Sequence, residues 1–190
     1  MTVLHRERVL RAATTSFLAH GYRSSVDEIA RRAGVAKQTV YQHFPNKDEL
    51  FKEVARGLAS RVLIELDSPA GDLRESLLRF GAAYRSRALG PQGIATFRTV
   101  VPEVPRFKAL ARTMYANSAG EMVRRLAEYL SQAMGAGRLR REEPRFAAEM
   151  LLSMLAGHDR IKRLFAVADA GGEAQRTARI VDTFLRAFAK

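Results

Sequence analysis

A chain of 190 residues, 47% of them hydrophobic, is long enough to bury a core, either as one medium domain or as a small domain fused to a larger one. Its 32 Lys and Arg against 20 Asp and Glu give a net charge of +12, which favours a polyanionic partner such as nucleic acid or an acidic membrane surface. The absence of cysteine excludes a disulfide framework, a thiolate nucleophile and a Cys-ligated metal site and is consistent with a reducing cytoplasm, and no stretch approaches the roughly 20 apolar residues that span a bilayer, so a soluble cytoplasmic protein with no membrane span is expected.

The opening MTVLHRERVL has no apolar signal region. Instead Val3 to His20 predicts an amphipathic helix: Val9, Ala13 and Phe17 recur at i+4 with Ala12 beside them, and Gly21 closes it. Tyr22 is expected to pack back on this helix. Ser25 followed by Glu28 is a capping-box signal, so a second helix starts at Val26. Val26, Ile29, Ala30 and Ala33 share one face; Asp27 and Glu28 lie at the positive end of the helix dipole, Arg31 and Arg32 at the negative end, and Gly34 ends the helix.

After Val35 a third helix runs from about Ala36 to Phe44. Ala36 and Val40 face inward, which turns Lys37, Gln38, Tyr41 and Gln42 outward, with Thr39 and His43 on the flank. That outward face carries donors and no carboxylate. Pro45 stops the helix; Asn46 with Glu49 caps the next one and brings Lys47 into its exposed first turn. Two short helices joined by a glycine turn, the second with a cationic, amide-bearing face, is the arrangement that lays a recognition helix in the DNA major groove.

The string GVAKQTVYQHFPNKDEL, preceded by SVDEIA, resembles the helix-turn-helix signature of the TetR family of one-component bacterial transcription regulators, and the likeness runs from Leu4 to Phe51. One departure is Ala36, where the family often has Ser; it removes a hydroxyl that would cap the recognition helix or touch a phosphate. The resemblance implies a three-helix DNA-binding domain over residues 1–46 and a helical ligand-binding and dimerisation domain over 47–190. It also implies that Arg23, Ser24 and Ser25, just before the second helix, touch the phosphate backbone; Ser25 is equally read as a plain helix cap, and both can hold at once. Lys37 and Lys47, at two helix N-termini flanking the recognition helix, are expected on phosphates. Gln38 and Gln42 suit bidentate reading of adenine, and Tyr41 suits a phosphate or a thymine methyl. His43 is either a phosphate donor or a packed histidine.

From Asn46 a longer helix is expected to reach about Leu66, with Leu50, Val54, Leu58 and Val62 at helical intervals, before DSPAGD breaks it. The next helix, Asp72 to about Leu89, presents Leu73, Leu77, Phe80, Gly81 and Tyr84, and GPQG makes another break. A helix with Ile94, Phe97 and Val101 is limited by Pro102 and Pro105. Helical pattern continues from Arg106 to about Met134, with Asn117 to Gly120 a kink or junction. A loop GRLRREEP leads to a helix from about Pro144 to Phe165, and after DAGG a last helix carries Thr177, Ile180, Val181, Phe184 and Phe188. No strand signal interrupts this, so the fold class is all α with about nine helices.

The later helices also resemble an AcrR-like subgroup, through EVPRFKALARTMY and the GRL before the last two helices. Family resemblance implies a homodimer through those last two helices, a small-molecule effector, and a repressor acting on a palindromic operator in double-stranded DNA. Phe80, Tyr84, Phe97, Met114, Tyr115, Met122, Met150 and Met154 are candidates to line the effector cavity, since methionine suits an adaptable apolar site; each is also read as plain core. His158 either orients a ligand or bonds a nearby backbone carbonyl. An enzyme is disfavoured: His158 with Asp159, or Ser153, lacks a nucleophile–base–orienter set, and neither a phosphate loop nor a metal-ligand cluster is present, so no cofactor is expected. A basic helical protein that coats DNA or acidic membrane without sequence choice is the other rival.

Overall fold

The computed structural model describes residues 2–60, 66, 71–167 and 171–189. These are all α, with no strand among them. α1 spans Thr2–His20, α2 Val26–Ala33, α3 Lys37–His43, α4 Lys47–Ser60, α5 Leu73–Leu89, α6 Pro91–Val100, α7 Lys108–Tyr115, α8 Glu121–Gly135, α9 Pro144–Leu164 and α10 Glu173–Ala187. The junction expected at Asn117 to Gly120 is a π-turn over Ala116–Gly120 that carries α7 into α8 without a break. Counted as one helix, α7 and α8 bring the described helices to nine. The end of α4 toward Leu66 and most of the DSPAGD and DAGG breaks fall on residues 61–65, 67–70 and 168–170, which lie outside the described residues.

The chain forms two compact units. One is built from Met1–Arg61 with Ala95–Asn117, the other from Val62–Ile94 with Ser118–Lys190. In the first, the inward faces of α1, α2 and α4 meet: Val9, Ala13, Phe17, Ile29 and Leu50 are fully buried. Phe51 sits edge-on to Phe17, ring centroids 5.1 Å apart, and Phe107 stacks on Phe51 at 5.6 Å. Leu110 and Met114 of α7 join this core, and the Thr99 hydroxyl donates to the Phe17 carbonyl at 3.1 Å. Residues 95–117 are therefore a wall of the unit that carries the helix-turn-helix.

In the second unit α5, α8, α9 and α10 enclose Leu77, Leu126, Leu130, Leu151, Leu155, Val181 and Phe184, all fully buried. Gly81 is where α5 crosses its neighbours: a Cβ there would lie 3.0 Å from Thr177 and 3.1 Å from Leu155. It marks close helix packing, where even an alanine would push the Thr177 and Leu155 methyl groups back by a few tenths of an ångström. The GPQG break is a joint of one residue, Gly90, after which Pro91 starts α6 in the first-turn position that proline favours. Gly93 lets that turn approach the end of α5, since a Cβ on it would stand 2.2 Å from the Arg87 carbonyl oxygen.

Candidate nucleic-acid interface

The Ser25 side chain caps α2 by accepting from the Glu28 N–H at 3.1 Å. The reciprocal half of the capping box gives way to ion pairing: the Glu28 carboxylate is 3.5 Å from Arg32 and 4.0 Å from His20. Val26, Ile29, Ala30 and Ala33 are buried as their spacing predicts. Gly34 follows in the left-handed region, φ 63° and ψ 42°, which costs a Cβ-free residue little. α3 then begins at Lys37 with Ala36 as an N-cap that makes no side-chain hydrogen bond. Val40 and Phe44 anchor the helix in the core, 1% and 4% exposed.

Held in this way, α3 exposes Lys37, Gln38, Tyr41 and Gln42 together, with Thr39 and His43 half-buried at its flank. Arg23 and Ser25 are exposed as well. Ser24 stands behind them: it is 3% exposed, and its hydroxyl donates to the carbonyls of Ser16 at 2.9 Å and Gly21 at 3.2 Å. Lys37 Nζ lies 2.9 Å from Asp27 Oδ2, and that hydrogen bond raises its pKa. The Asn46 side chain caps α4 by accepting from the Glu49 N–H at 2.9 Å. Lys47 is half-buried, its Nζ 4.3 Å from the centroid of the Tyr22 ring. Burial lowers its pKa, and the charge of Arg106 adds to that.

The effector candidates divide between the units. Phe80, Tyr84, Met122, Met150 and Met154 gather in or against the core of the second, Phe80 stacked on Tyr84 at 6.0 Å. Met114 lies in the core of the first unit, and Phe97 and Tyr115, also of that unit, are 37% and 55% exposed. His158 is exposed; the inward residue is its neighbour Asp159, 4% exposed. A groove of about 340 Å³ on the second unit is lined by Val123, Ala127 and Ser131 of α8 and by Glu143, Pro144 and Arg145, none of them an effector candidate.

Sequence reasoning missed the ion network around Asp159. Arg85 of α5, 3% exposed, donates to Asp159 at 2.8 Å, to the Leu155 carbonyl at 2.5 Å and to Glu173 at 2.5 Å. Arg176 donates to Asp159 at 2.6 Å, and Arg163 to Glu173 and the Leu89 carbonyl. No motif announces such a network; only the helical phase of Arg85, one turn beyond Gly81, placed it inward. Among the described residues, no group of three or more His, Asp or Glu has the placement to hold a metal ion, and no helix is long and apolar enough to cross a membrane.

Residues 9–54 match the family model of the bacterial regulatory proteins, tetR family, and residues 75–190 match that of the AefR-like transcriptional repressor, C-terminal domain. The chain is 37% identical over 81 residues to the HTH-type transcriptional regulator YhgD of Bacillus subtilis, covering 42% of this chain and 40% of YhgD. The match thus spans less than half of that relative. With the HTH-type transcriptional regulator Rv2250c of Mycobacterium tuberculosis, identity is 31% over 146 residues, 76% of this chain and 75% of the relative. The solved structure of the flavonoid-responsive regulator FrrA aligns with a TM-score of 0.80 at 29% identity, over 96% of each chain. With more than half of its length under one of these models and the helix-turn-helix under the other, the chain belongs to the TetR family of bacterial transcription regulators.

Proposed function

We propose that the chain is a homodimeric, ligand-responsive repressor that binds a palindromic operator in double-stranded DNA and is released by a small, mainly apolar molecule. The observation that carries the DNA reading is the division of α3: Val40 is buried while Lys37, Gln38, Tyr41 and Gln42 stand exposed side by side. A helix fixed by its inner face presents donors, without a carboxylate of its own, to base edges and phosphates. Arg23, Ser25 and Lys47 extend that surface to the flanking backbone, with Thr39 and His43 at its edge and Ser24 bracing it from behind.

Residues 1–46 serve in this reading as the DNA-binding domain and 47–190 as the ligand-binding and dimerisation domain. Exposed apolar residues on α9 and just past its end, namely Phe146, Ile161 and, following the helix, Phe165 at 50%, 51% and 78%, support a twofold interface through α9 and α10. To meet the same face of B-DNA, the two α3 helices of such a dimer must lie about 34–36 Å apart, one helical turn, or near a multiple of it. For the effector, the gathering of Phe80, Tyr84, Met122, Met150 and Met154 in the second unit favours an aromatic, mainly apolar molecule, and the likeness to a flavonoid-responsive regulator supports that class.

The deciding experiment selects duplexes from a random pool and titrates the winner against competitor DNA. A palindromic winner is expected, and Gln38→Ala should change the preference at one base pair per half-site by about 1–3 kcal/mol. Equal binding to every duplex would overturn the reading in favour of a non-specific coat.

A further inference from the structure

We infer that Arg106 is a positioning residue for DNA binding, which together with Tyr22 and Asp48 holds the N-terminus of α4 and the ammonium of Lys47 in place. The inference rests on the reading of Lys47 as a phosphate contact, and it adds a residue that lies far along the chain from the helix-turn-helix. Arg106 belongs to the connection between α6 and α7, which packs within the same compact unit as α1 to α4.

The geometry is a clamp on one aromatic ring. The Arg106 guanidinium carbon lies 4.3 Å from the Tyr22 centroid and 4.9 Å from that of Phe107. Lys47 Nζ lies 4.3 Å from the same Tyr22 centroid. The ring cannot swing away, because Phe51 meets it at 5.3 Å and Phe107 at 5.5 Å, and its hydroxyl donates to Asp48 Oδ1. Arg106 donates to that same oxygen at 3.3 Å. Asp48 follows Lys47 in the first turn of α4, so the carboxylate and the guanidinium fix the turn and the ring, and the ring in its fixed place carries the lysine against the like charge of Arg106.

A lysine on a four-carbon stem loses rotamer freedom when it seats on a phosphate; one already held over a ring loses less. With 54% of its side chain exposed, Arg106 gains little from the Asp48 ion pair as such. Its weight lies in stacking on two rings, and its fork is turned to Asp48, which argues for support of Lys47 in preference to a phosphate contact of its own.

The test uses the full chain and a mixed-sequence DNA duplex, since a phosphate contact does not depend on base identity. Affinity is measured against salt for the parent, Lys47→Ala, Arg106→Ala and the double variant. Lys47→Ala should flatten the slope of log affinity against log salt by about 0.9 for each phosphate no longer neutralised. Arg106→Ala should flatten it similarly, and the double variant should bind no more weakly than Lys47→Ala alone, the signature of one residue acting through another. If Lys47→Ala changes nothing, the Lys47 reading falls and takes this inference with it. If Lys47→Ala weakens binding but Arg106→Ala adds its own full loss, or lowers only thermal stability, the inference alone is overturned. Should Arg106→Ala fail to fold, Arg106→Met, which keeps apolar bulk against both rings, carries the same cycle.

Discussion

The guanidinium of Arg8 donates to the backbone carbonyl of Gly34 at 3.2 Å, so the turn between α2 and α3 is braced from α1. A Cβ on Gly34 would stand 2.6 Å from that same Arg8 nitrogen, on a backbone with φ 63°. Gly34→Val is therefore expected to destabilise the protein by about 1–3 kcal/mol, through left-handed strain on a β-branched residue. Arg8→Ala, which returns an exposed carbonyl to water, should cost less, about 0.5–1.5 kcal/mol. Urea denaturation midpoints check both, and equal midpoints for Gly34→Val and parent would remove the strain argument.

Lys37 is not an unengaged cation, because Asp27 holds it at 2.9 Å, and this bears on its proposed contact with the DNA backbone. A phosphate must compete with that carboxylate. Asp27→Asn should accordingly tighten binding to any duplex several-fold while leaving base preference unchanged. Fluorescence anisotropy titration reads this directly; unaltered affinity would mean that Lys37 does not reach the backbone.

For the proposed dimer, the residues to change are at the C-terminal end of α9 and just beyond it. Ile161 and Phe165 are exposed, so Ile161→Glu with Phe165→Glu should give helical monomers by sedimentation that have lost operator affinity. Phe184 is a poor probe despite its place on the last helix: it is fully buried and packs on Phe188 at 4.5 Å. Phe184→Glu should unfold the second unit, visible as lost helicity. A dimeric double α9 variant would move the interface elsewhere.

The network of Arg85, Asp159, Glu173 and Arg176 predicts a pH response. Burial pushes the Asp159 carboxyl up, yet hydrogen bonds from Arg85 and Arg176 outweigh it and hold the group below the usual carboxylate range. A carboxyl depressed in the folded state contributes stability above its unfolded pKa, about 3.9, and loses it as pH falls through the lower folded value. The parent should therefore lose stability steeply below about pH 4, and Asp159→Asn should be less stable at pH 7 with a shallower acid limb. Arg85→Ala should cost about 3 kcal/mol at pH 7, the low end for breaking a buried pair, because Arg176 still faces Asp159. Denaturation midpoints across pH 3 to 7 check both variants.

Some of this architecture follows from the chain alone. The helix-turn-helix is legible because its determinants are local: a cap at Ser25, a left-handed glycine at 34, Pro45 after α3, and apolar spacing that sends Val40 inward and so Gln38 and Gln42 outward. Each acts within a few residues, where sequence distance and spatial distance are nearly the same. The junction near Asn117 shows in the same way, as a run of small and polar residues between two apolar stripes.

What only the tertiary structure decided depends on residues far apart in sequence. Arg106 reads in the chain as one more surface arginine until Tyr22 and Asp48 arrive beside it. Met114 carries the same apolar pattern as Met122, and only packing assigns the first to the core beneath the helix-turn-helix and the second to the core of α5, α8, α9 and α10. The histidine and aspartate at 158 and 159 differ by about 100° of helical phase, and the partner that draws Asp159 inward, Arg85, is on another helix. Periodicity states which face of a helix is buried; what it is buried against is set by long-range packing, which a local pattern does not encode.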